Sequence, residues 1–433
     1  MREMMKTNIP WLPELADDFG IGYVKQYFYV SKDLSYEGEP ERVLKLARAG
    51  IVEKDVTTNE GQMAASYEGY NKVQIGDLLL NPMDLYSGAN CNVAEMNGVI
   101  SPAYSNLRAK KTGTVVPKYY DYYFKTQYWL MAMFAHGKGV SFDNRWTLNN
   151  DSLRAYEIPV LPYNLQKKIV DAIQTEEMKV DALVANVQTQ IEKLKAYKQS
   201  MITEAVTKGL NANVPMKDSG VDWIGMVPRH WDVVKARRIV TSTQNGLTRR
   251  DLTESKGQIV LKLKNISSDG LIDYSYINRI ELTDKELQTY ALSEGDFLFV
   301  RVNGSKNLVG KCAIYSDTGE IVAYNDHIIR VRINDYCSKE FFYYYLNSMA
   351  GKTEIEHHTS TSAGQYTISG EGLRDLWAVI PPPDEQNTIV EVLNSKCATI
   401  DRLISIKQKK IEKLEQYKKS LIYEYVTGKK EVQ

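Results

Sequence analysis

The chain has 433 residues, more than one hydrophobic core usually holds, and this length predicts roughly two to four domains. Hydrophobic residues make up 43% and charged residues 25%, which excludes an intrinsically disordered chain. Lys plus Arg and Asp plus Glu balance at 54 each, so no overall positive field favours a nucleic-acid partner.

The sequence shows no export or membrane-anchoring signal. The longest nearly apolar run, residues 128–135, is well short of the roughly 20 residues that span a bilayer. The N-terminal segment MREMMKTNIPWLP lacks the apolar core and small-residue cleavage site of a signal peptide. The 4 cysteines form no CxxC pair, so we expect them to be reduced and structural, and we expect a cytoplasmic protein.

The first globular segment, residues 1–160, and a later one, residues 210–380, have the pattern of mixed α/β (α+β) domains. Short β-branched and aromatic runs at residues 258–263, 297–302, 312–315 and 328–333 alternate with Gly, Asn and Asp turns. Aromatic-rich amphipathic helices are predicted at residues 117–134 and 338–349. Their tyrosine clusters favour core packing over base stacking.

After each globular segment the chain carries the same lysine-rich sequence segment. IEKLKAYKQSMITEAVT at residues 191–207 returns 220 residues later as IEKLEQYKKSLIYEYVT at residues 411–427. The same shift aligns residues 162–209 with 382–429 without a gap, and weaker matches continue upstream. An internal repeat fixes the architecture. The sequence therefore predicts two copies of one plan, with a central helix at 161–209 and a C-terminal helix at 381–433.

Each repeated segment is predicted to be one helix of some 45 residues, on the order of 65 Å long. Apolar residues recur at spacings of three, four and seven, which indicates a helix–helix seam, and Lys407 is the one departure. A surface helix on its own domain is the alternative, but two register-matched copies favour pairing with each other. The predicted seam consists of Ile173, Val180, Val184, Val187, Ile191, Leu194, Met201, Leu393, Ile400, Ile404, Ile411, Leu414 and Leu421.

The motifs that could carry catalysis are incomplete. NPM at residues 81–83 lacks the second proline of the Asn-Pro-Pro-aromatic motif of amino-methyltransferases. GKT at residues 351–353 lacks the glycine that a phosphate-binding loop has five residues earlier, and His357 and His358 have no third ligand at helical spacing. We therefore expect no catalytic residue and no metal site in this chain.

Local charge is more informative than total charge. Residues 235–264 contain eight basic residues against two acidic ones, and residues 297–316 contain three basic residues and no acid. Such stretches can neutralise phosphates, while Arg, Asn and Gln among them can contact base edges. The alternative is an ordinary solvated face.

Several longer segments together resemble one family, the specificity (S) subunits of type I restriction-modification systems. The segments are KDSGVDWIGMVPRHWDVV, GDFLFVRVNGSKNLVGKCAIY, SAGQYTIS and IPPPDEQNTIVEVL. The first half repeats the plan with GDLLLNPMDLYSGA, ISPAY and a less typical PVLPYNLQKKIV. The resemblance covers essentially the whole chain.

This resemblance implies two target-recognition domains in a pseudo-twofold arrangement, each reading one half of a split double-stranded DNA sequence. The long helices would form an antiparallel coiled coil that separates the domains and docks two methyltransferase (M) subunits. The chain itself would be non-catalytic and bind no cofactor. S-adenosylmethionine, ATP and Mg would belong to the methyltransferase and restriction/translocase (R) subunits, in a bacterial or archaeal cytoplasm.

On this basis, candidate DNA-binding residues lie in loops of both halves. A protein-interaction scaffold or DNA-mimic inhibitor built on the same repeat remains an alternative, and a stand-alone enzyme is a third. The DNA-binding candidates are Asn81, Tyr86, Lys110, Lys138, Arg145, Trp146, Arg249, Arg250, Arg301, Asn303, Lys306, Gln365 and Tyr366.

Overall fold

The chain forms two compact units in a computed structural model. Unit 1 comprises Met1–Gln188 and Lys409–Gln433, and unit 2 comprises Thr189–Gln408. The structure describes residues 3–36, 42–47, 50–56, 64, 66–83, 85, 90–139, 146–249, 256–267, 270–362 and 364–432. The division into two globular domains and two helices, predicted at residues 160, 209 and 380, stays a prediction.

Unit 1 contains short strands, short helices and the beginning of a long helix. Its strands are β1 (Met4–Lys6), β2 (Glu14–Ala16), β3 (Gly20–Tyr23), β4 (Phe28–Val30), β5 (Val43–Ala47), β6 (Gly50–Glu53), β7 (Asn71–Val73), β8 (Leu78–Leu80), β9 (Cys91–Val93), β10 (Gly98–Ile100), β11 (Ser105–Ala109) and β12 (Glu157–Val160). Its helices are α1 (Val24–Tyr27), α2 (Pro117–Trp129), α3 (Ala132–Ala135), α4 (Asn150–Arg154) and the first part of α5 (Tyr163–Lys208).

Unit 2 repeats this plan. Its strands are β13 (Met216–Asp218), β14 (Met226–Pro228), β15 (Asp232–Lys235), β16 (Val240–Asn245), β17 (Gln258–Leu261), β18 (Arg279–Ile280), β19 (Phe297–Val300), β20 (Val302–Asn303), β21 (Cys312–Ile314), β22 (Val322–Tyr324), β23 (Ile328–Ile333), β24 (Ser360–Ser362), β25 (Gln365–Thr367) and β26 (Trp377–Ile380). Its helices are α6 (Asp284–Tyr290), α7 (Lys339–Asn347), α8 (Met349–His357), α9 (Gly370–Arg374) and α10 (Pro383–Val426), whose last part belongs to unit 1.

The same antiparallel sheet lies at the centre of each unit. In unit 1 the four-stranded order is β4-β11-β8-β9, and in unit 2 it is β16-β23-β19-β21. Each sheet is accompanied by a second one with a parallel pair, β5 with β10 and β17 with β22. The mixed α/β class predicted from the sequence is confirmed, as are the strands expected near residues 258, 297, 312 and 328.

A buried aspartate anchors the central sheet in each unit. In unit 1, Asp77 is 2% exposed and accepts a hydrogen bond from Arg108 Nη2 at 2.7 Å. In unit 2, Asp296 is 3% exposed and accepts from Arg332 Nε at 2.7 Å. The hydrogen bond that Arg332 donates to Asp296 raises the pKa of Arg332. Because a buried carboxylate needs a charged partner, both sheets depend on the same ion pair.

A buried glutamine near the start of each long helix ties it to the aromatic helix of the same unit. Gln166 Oε1 accepts from the amide of Val116, the N-cap residue of α2, at 2.6 Å. Gln386 Oε1 accepts from the amide of Ser338, the N-cap residue of α7, also at 2.6 Å. Each side chain also donates to the carbonyl group five residues earlier, at 2.9 Å and 2.8 Å. The glutamine therefore satisfies helix-end groups that burial would otherwise leave unpaired.

The tyrosines of the aromatic helices form core, as predicted. Tyr119, Tyr120 and Tyr123 of α2 are each fully buried, and the hydroxyl of Tyr123 donates to the carbonyl of Glu157 at 2.8 Å. Burial raises the pKa of Tyr119 and Tyr123 well above the usual value. These rings pack the helix onto the sheet and are not surface platforms.

The predicted ends of the aromatic helices were wrong. The helix expected at 117–134 stops at Trp129, because Met131 has a φ of 57° and starts a new short helix. The helix expected at 338–349 stops at Asn347, where the side chain of Ser348 caps the next helix by accepting from Gly351 N. Local backbone geometry and a serine cap override the continuous aromatic pattern.

The two long helices predicted from the repeat are confirmed, with 46 residues in α5 and 44 in α10. Their segments run antiparallel within each unit. Asp181 meets Lys418 at 2.7 Å in unit 1, and Lys198 meets Asp401 at 2.7 Å in unit 2. All predicted seam residues are buried or half-buried.

Each helix ends in the core of the unit that contains its last turns. Ile202, Ala205 and Val206 of α5 belong to the main core of unit 2. The end of α10, including Leu421 and Val426, belongs to the main core of unit 1. After α10, Gly428 adopts a φ of +74° against the side chain of Ala16, where a Cβ atom would have no room.

Two features of membrane proteins and metalloproteins are absent from the described part of the chain. No helix there is long and apolar enough to cross a membrane. Within the same residues, no group of three or more His, Cys, Asp or Glu side chains is placed to hold a metal ion. The four cysteines are free and buried.

We predict that Gln386→Ala lowers the free energy of unfolding by about 1–3 kcal/mol, because it leaves the half-buried amide of Ser338 and the buried carbonyl of Pro381 without this partner. Chemical denaturation of the purified chain measures the change. The matched control is Gln416→Ala on the exposed side of the same helix, which should change stability by less than about 0.5 kcal/mol. Equal effects of the two variants would contradict the assigned role of Gln386.

Candidate nucleic-acid interface

A small sheet in unit 2 brings together residues that the sequence had marked as DNA-binding candidates. The sheet has the order β20-β25-β24, with Asn303 directly opposite Tyr366. Gln365 lies in the same strand as Tyr366, next to the turn at Gly364. Gly364 has a φ of +77°, a backbone conformation that residues other than glycine rarely adopt. Asn303 and Tyr366 therefore share one face of the sheet, where Tyr366 packs partly against the core, and Gln365 lies on the other face beside the turn.

Arg301 lies at the edge of this surface, between β19 and β20. Its Nη1 donates to the carbonyl of Asp326 at 3.1 Å, and its backbone carbonyl accepts from the amide of Ile368 at 3.0 Å. Within the described residues, no carboxylate forms an ion pair with this guanidinium group. A half-buried arginine held by a neutral carbonyl keeps its charge available for a phosphate group or a guanine edge.

Lys306 follows in a short turn beside the same sheet. Its side chain is 50% exposed, and its Nζ lies 3.8 Å from the carboxylate of Glu356, which is 48% exposed. Exposed pairs of this kind contribute little, so Lys306 can exchange this partner for a phosphate group. We refer to Arg301, Asn303, Lys306, Gln365 and Tyr366 as the unit 2 polar surface.

Arg249 approaches the neighbouring loop but is already paired. Its Nη1 lies 3.6 Å from Glu286 and donates to the carbonyl of Glu281 at 3.1 Å. The amide of Asp326 donates to the carbonyl of Leu247, two residues before Arg249. The same Asp326 accepts from Arg301, so both arginines approach one loop.

Sequence reasoning missed a residue in that loop, His327. Its ring is 48% exposed, and its backbone carbonyl accepts from the amide of Arg301 at 2.7 Å. The available signal was the polar Asn-Asp-His turn between two strongly apolar strands, β22 and β23.

The basic stretch at residues 235–264 does not form one patch. Arg237 is ion-paired with Asp375, and Lys235 lies 4.1 Å from the centroid of the Trp377 ring. Lys262 donates to Asn278, and its pKa is lowered by burial and by the neighbouring charge of Lys264. The stretch divides between separate places, and much of its charge is engaged within the unit. Arg250 lies outside the described residues.

Unit 1 places three of its candidates near the equivalent position. Pro82 is the equivalent of Arg301, because its backbone carbonyl accepts from the amide of Leu148 at 2.9 Å as the carbonyl of Arg301 accepts from the amide of Ile368 at 3.0 Å. Asn81 immediately precedes this position. Lys138 pairs with Thr147 in an isolated bridge, next to Trp146, which is the repeat equivalent of Tyr366.

The chemistry at these unit 1 positions differs from unit 2. Asn81 Oδ1 accepts from the amide of Met83 at 3.0 Å, which leaves its NH₂ group as the outward donor. Trp146 donates its Nε1–H to the carbonyl of Phe134 at 2.8 Å and packs against that ring, so most of its indole serves the core. Lys138 is exposed. We refer to Asn81, Lys138 and Trp146 as the unit 1 polar surface.

Lys110 does not join that surface. It follows β11, whose first residue, Ser105, pairs with Leu80 next to Asn81. Five residues along a strand cover about 16 Å, so Lys110 lies at the other end of the sheet. There its Nζ donates to the carbonyl of Lys25 at 2.6 Å. The remaining unit 1 candidates, Tyr86 and Arg145, lie outside the described residues.

Comparisons with known proteins agree with this architecture. Residues 228–416, which contain the whole unit 2 polar surface, match the family model described as type I restriction modification DNA specificity domain. The type I restriction enzyme StySPI specificity subunit of Salmonella potsdam is 26% identical over 290 residues, which cover 67% of this chain and 60% of that subunit. The type I restriction enzyme MjaVIII specificity subunit of Methanocaldococcus jannaschii is 23% identical over 418 residues, which cover 93% and 86% of the two chains.

A solved structure shares the fold. It comes from work described as the structural basis of complex assembly and conformational transition of the type I R-M system. The TM-score is 0.66 at 12% identity, over 95% of this chain and 98% of that one. The matches relate residues 228–416 to the type I restriction modification DNA specificity domain. More broadly, the chain is similar in sequence to type I specificity subunits and spans about half to two thirds of the length of the first of these relatives.

We predict that Arg301→Ala weakens binding to a target duplex by about 1–3 kcal/mol, or roughly five- to 150-fold, because it removes a cation that no carboxylate of the described residues pairs with. Affinity is measured over a salt series with the purified chain and duplexes of varied sequence. A phosphate contact lowers the salt slope by about one for all sequences, whereas a base contact relaxes specificity at one position.

Arg237→Ala is the matched control, because Arg237 is ion-paired with Asp375 away from this surface. It should leave the affinity within about twofold of the unaltered chain. Equal losses for both variants, or no duplex binding at any salt concentration, would contradict the proposed interface.

Proposed function

We propose that this chain is the non-catalytic DNA-specificity subunit of a type I restriction-modification enzyme. Each unit reads one half of a bipartite, asymmetric target in double-stranded DNA. The observation that carries the proposal is the family match over residues 228–416, because it contains the polar surface built around Arg301. The equivalent surface in unit 1 supports a second reading site.

The two surfaces differ at equivalent positions, which favours two unlike half-sites. Where unit 2 has Arg301, unit 1 has Pro82, and where unit 2 has Tyr366, unit 1 has Trp146. Arginine suits the two acceptors of guanine, whereas proline has no side-chain donor, and its neighbour Asn81 suits the donor and acceptor of adenine. A chain with two identical sites would instead read a symmetric target.

The domain division predicted from the repeat is part of this proposal. Residues 1–160 and 210–380 act as target-recognition domains, and residues 161–209 and 381–433 act as spacer helices. Support comes from the buried seam and from the ion pairs that join antiparallel segments of the two helices in each unit. The spacer helices set the gap between the half-sites.

Exposed apolar side chains on the long helices support docking of two methyltransferase subunits. In unit 2, Tyr197 is 59% exposed and Leu403 is 39% exposed, at the level of the Lys198–Asp401 ion pair. In unit 1, their repeat equivalents Tyr417 and Leu183 are exposed in the same way. Large apolar side chains at equivalent exposed positions favour a protein partner.

The remaining chemistry belongs to the partners in this proposal. The methyltransferase subunits bind S-adenosylmethionine, and restriction/translocase subunits bind ATP and Mg. The complex works where genomic DNA is, in a bacterial or archaeal cytoplasm. A DNA-mimic inhibitor would present carboxylates to its target, whereas these two surfaces present amide and basic groups.

We predict that the chain, expressed with its methyltransferase partner, produces one bipartite adenine-methylation motif in a host without other methylation. Methylome sequencing with and without the gene measures this. Replacing residues 210–380 by the corresponding domain of a relative should change one half of the motif, because each unit contacts its own half-site. Methylation without the partner, or a change in both halves, would contradict the proposal.

We predict that Tyr197→Asp combined with Tyr417→Asp abolishes copurification of the methyltransferase subunit, because a charge in an apolar contact is left unpaired. The melting temperature of the isolated chain should not change, because both side chains are exposed. Leu271→Asp, at a side chain 64% exposed in the globular part of unit 2, is the matched control and should copurify normally. Full retention of the partner by the double variant would exclude this docking site.

A further inference from the structure

The ion pairs between the long helices fix their register but do not choose which helices pair. Asp181 and Asp401 are repeat equivalents, as are Lys198 and Lys418, each 220 residues apart. The Asp181–Lys418 pair in unit 1 and the Lys198–Asp401 pair in unit 2 are therefore one contact made twice. Each helix carries one Asp and one Lys of this set. Two copies of α5, or two copies of α10 from different chains, would form the same pairs equally well.

The apolar seam is equally permissive. Its residues in α5 and α10 have the same register and similar side chains, such as Ile191 with Ile411 and Leu194 with Leu414. An apolar seam that is nearly the same in both helices fits an identical helix as well as its true partner. Something else must favour pairing within the chain over pairing between copies.

Within the apolar seam, Lys407 is the position where α10 departs from the pattern of α5. Its equivalent in α5 is Val187, which is 4% exposed. Lys407 itself is half-buried, and its Nζ donates to Oε1 of Gln190 at 2.5 Å. The lysine in the second helix thus meets an amide acceptor that the first helix supplies.

The repeat shows what Lys407 would meet in a pair of two α10 helices. The equivalent of Gln190 in α10 is Lys410. The register that aligns Lys418 with Asp401 would therefore place Lys407 of each copy against Lys410 of the other copy. Two lysine–lysine contacts would replace two contacts that the native pairing satisfies. Like charges opposed within a helix seam are a known way to reject a wrong partner.

We propose that Lys407 selects the partner of α10. It accepts α5 of the same chain through Gln190 and rejects α10 of a second copy through Lys410. The contact thereby disfavours assemblies in which the α10 helices of two copies pair with each other. This inference concerns the chain alone and holds whether or not the proposed function is correct.

The test uses full-length chains with two different affinity tags, unfolded together in denaturant and refolded by dilution. Capture through one tag and detection of the other measures exchange between copies. Unaltered chains should show little exchange. Lys410→Glu should raise the captured fraction on the order of tenfold, because each Lys407 then faces a carboxylate in the exchanged pair. Lys407→Val should also raise it, because the repulsion is removed.

Lys409→Glu is the control for Lys410→Glu. It lies next to Lys410, is exposed and makes the same change in net charge, but its position is not the equivalent of Gln190. It should leave exchange at the level of the unaltered chain. Combining Lys407→Glu with Lys410→Glu should return exchange to that level, since like charges again oppose each other.

A zero-length carbodiimide cross-link locates the contact in the Lys410→Glu variant. With one copy isotope-labelled, mass spectrometry should detect a link between Lys407 of one copy and the introduced carboxylate of the other. Equal exchange by Lys410→Glu and Lys409→Glu would overturn the proposal. Exchange without this cross-link would overturn it as well, because the contact would then lie elsewhere.

Discussion

Each unit takes the end of a long helix into its core, and unit 1 assembles that core from two separate stretches of chain; this constraint governs the rest of the structure. The last turns of α10 supply Leu421, Ile422, Tyr425 and Val426 to the core of unit 1, and the hydroxyl of Tyr119 donates to the carbonyl of Val426 at 2.7 Å. The last turns of α5 make the equivalent contribution to unit 2. The core of unit 1 therefore cannot form fully until the last turns of α10 have been synthesised, because it depends on contacts between residues distant in sequence. The end of each long helix is thus part of the core of a unit.

Each unit combines a constant framework with a variable polar edge. The framework repeats in detail, with a buried Asp–Arg pair in the central sheet and a buried glutamine between the long helix and the aromatic helix. The polar edge occupies the same place in both units but differs in chemistry, with Arg301 at one position and Pro82 at its equivalent. Because the buried framework carries the stability, the exposed edge is free to change. This separation explains how one fold can present two different surfaces.

Duplication also creates a problem of partner choice. Two helices with nearly the same seam and the same charge pairs have no intrinsic preference for each other over their own copies. A single polar departure in the seam is sufficient to create one, since its acceptor is present in only one of the two helices. A lysine at this position lowers the stability of the helix pair but makes the pairing specific. Polar residues at seam positions have the same effect in other coiled coils.

The sequence by itself determined the mixed α/β class, the two long helices and the duplication, because hydrophobic periodicity and an internal repeat are local signals that need no knowledge of contacts. It also placed the tyrosines of α2 in the core. Which arginines can bind a phosphate group or a base depends on tertiary contacts. Arg249 and Arg237 are paired with acids far away in sequence, whereas Arg301 is held by a carbonyl group. The tertiary structure also separated Lys110 from Asn81 through the antiparallel pairing of β8 and β11, and assigned the indole of Trp146 to packing. Those outcomes depend on long-range pairing and on the partners of each side chain, which no local pattern encodes.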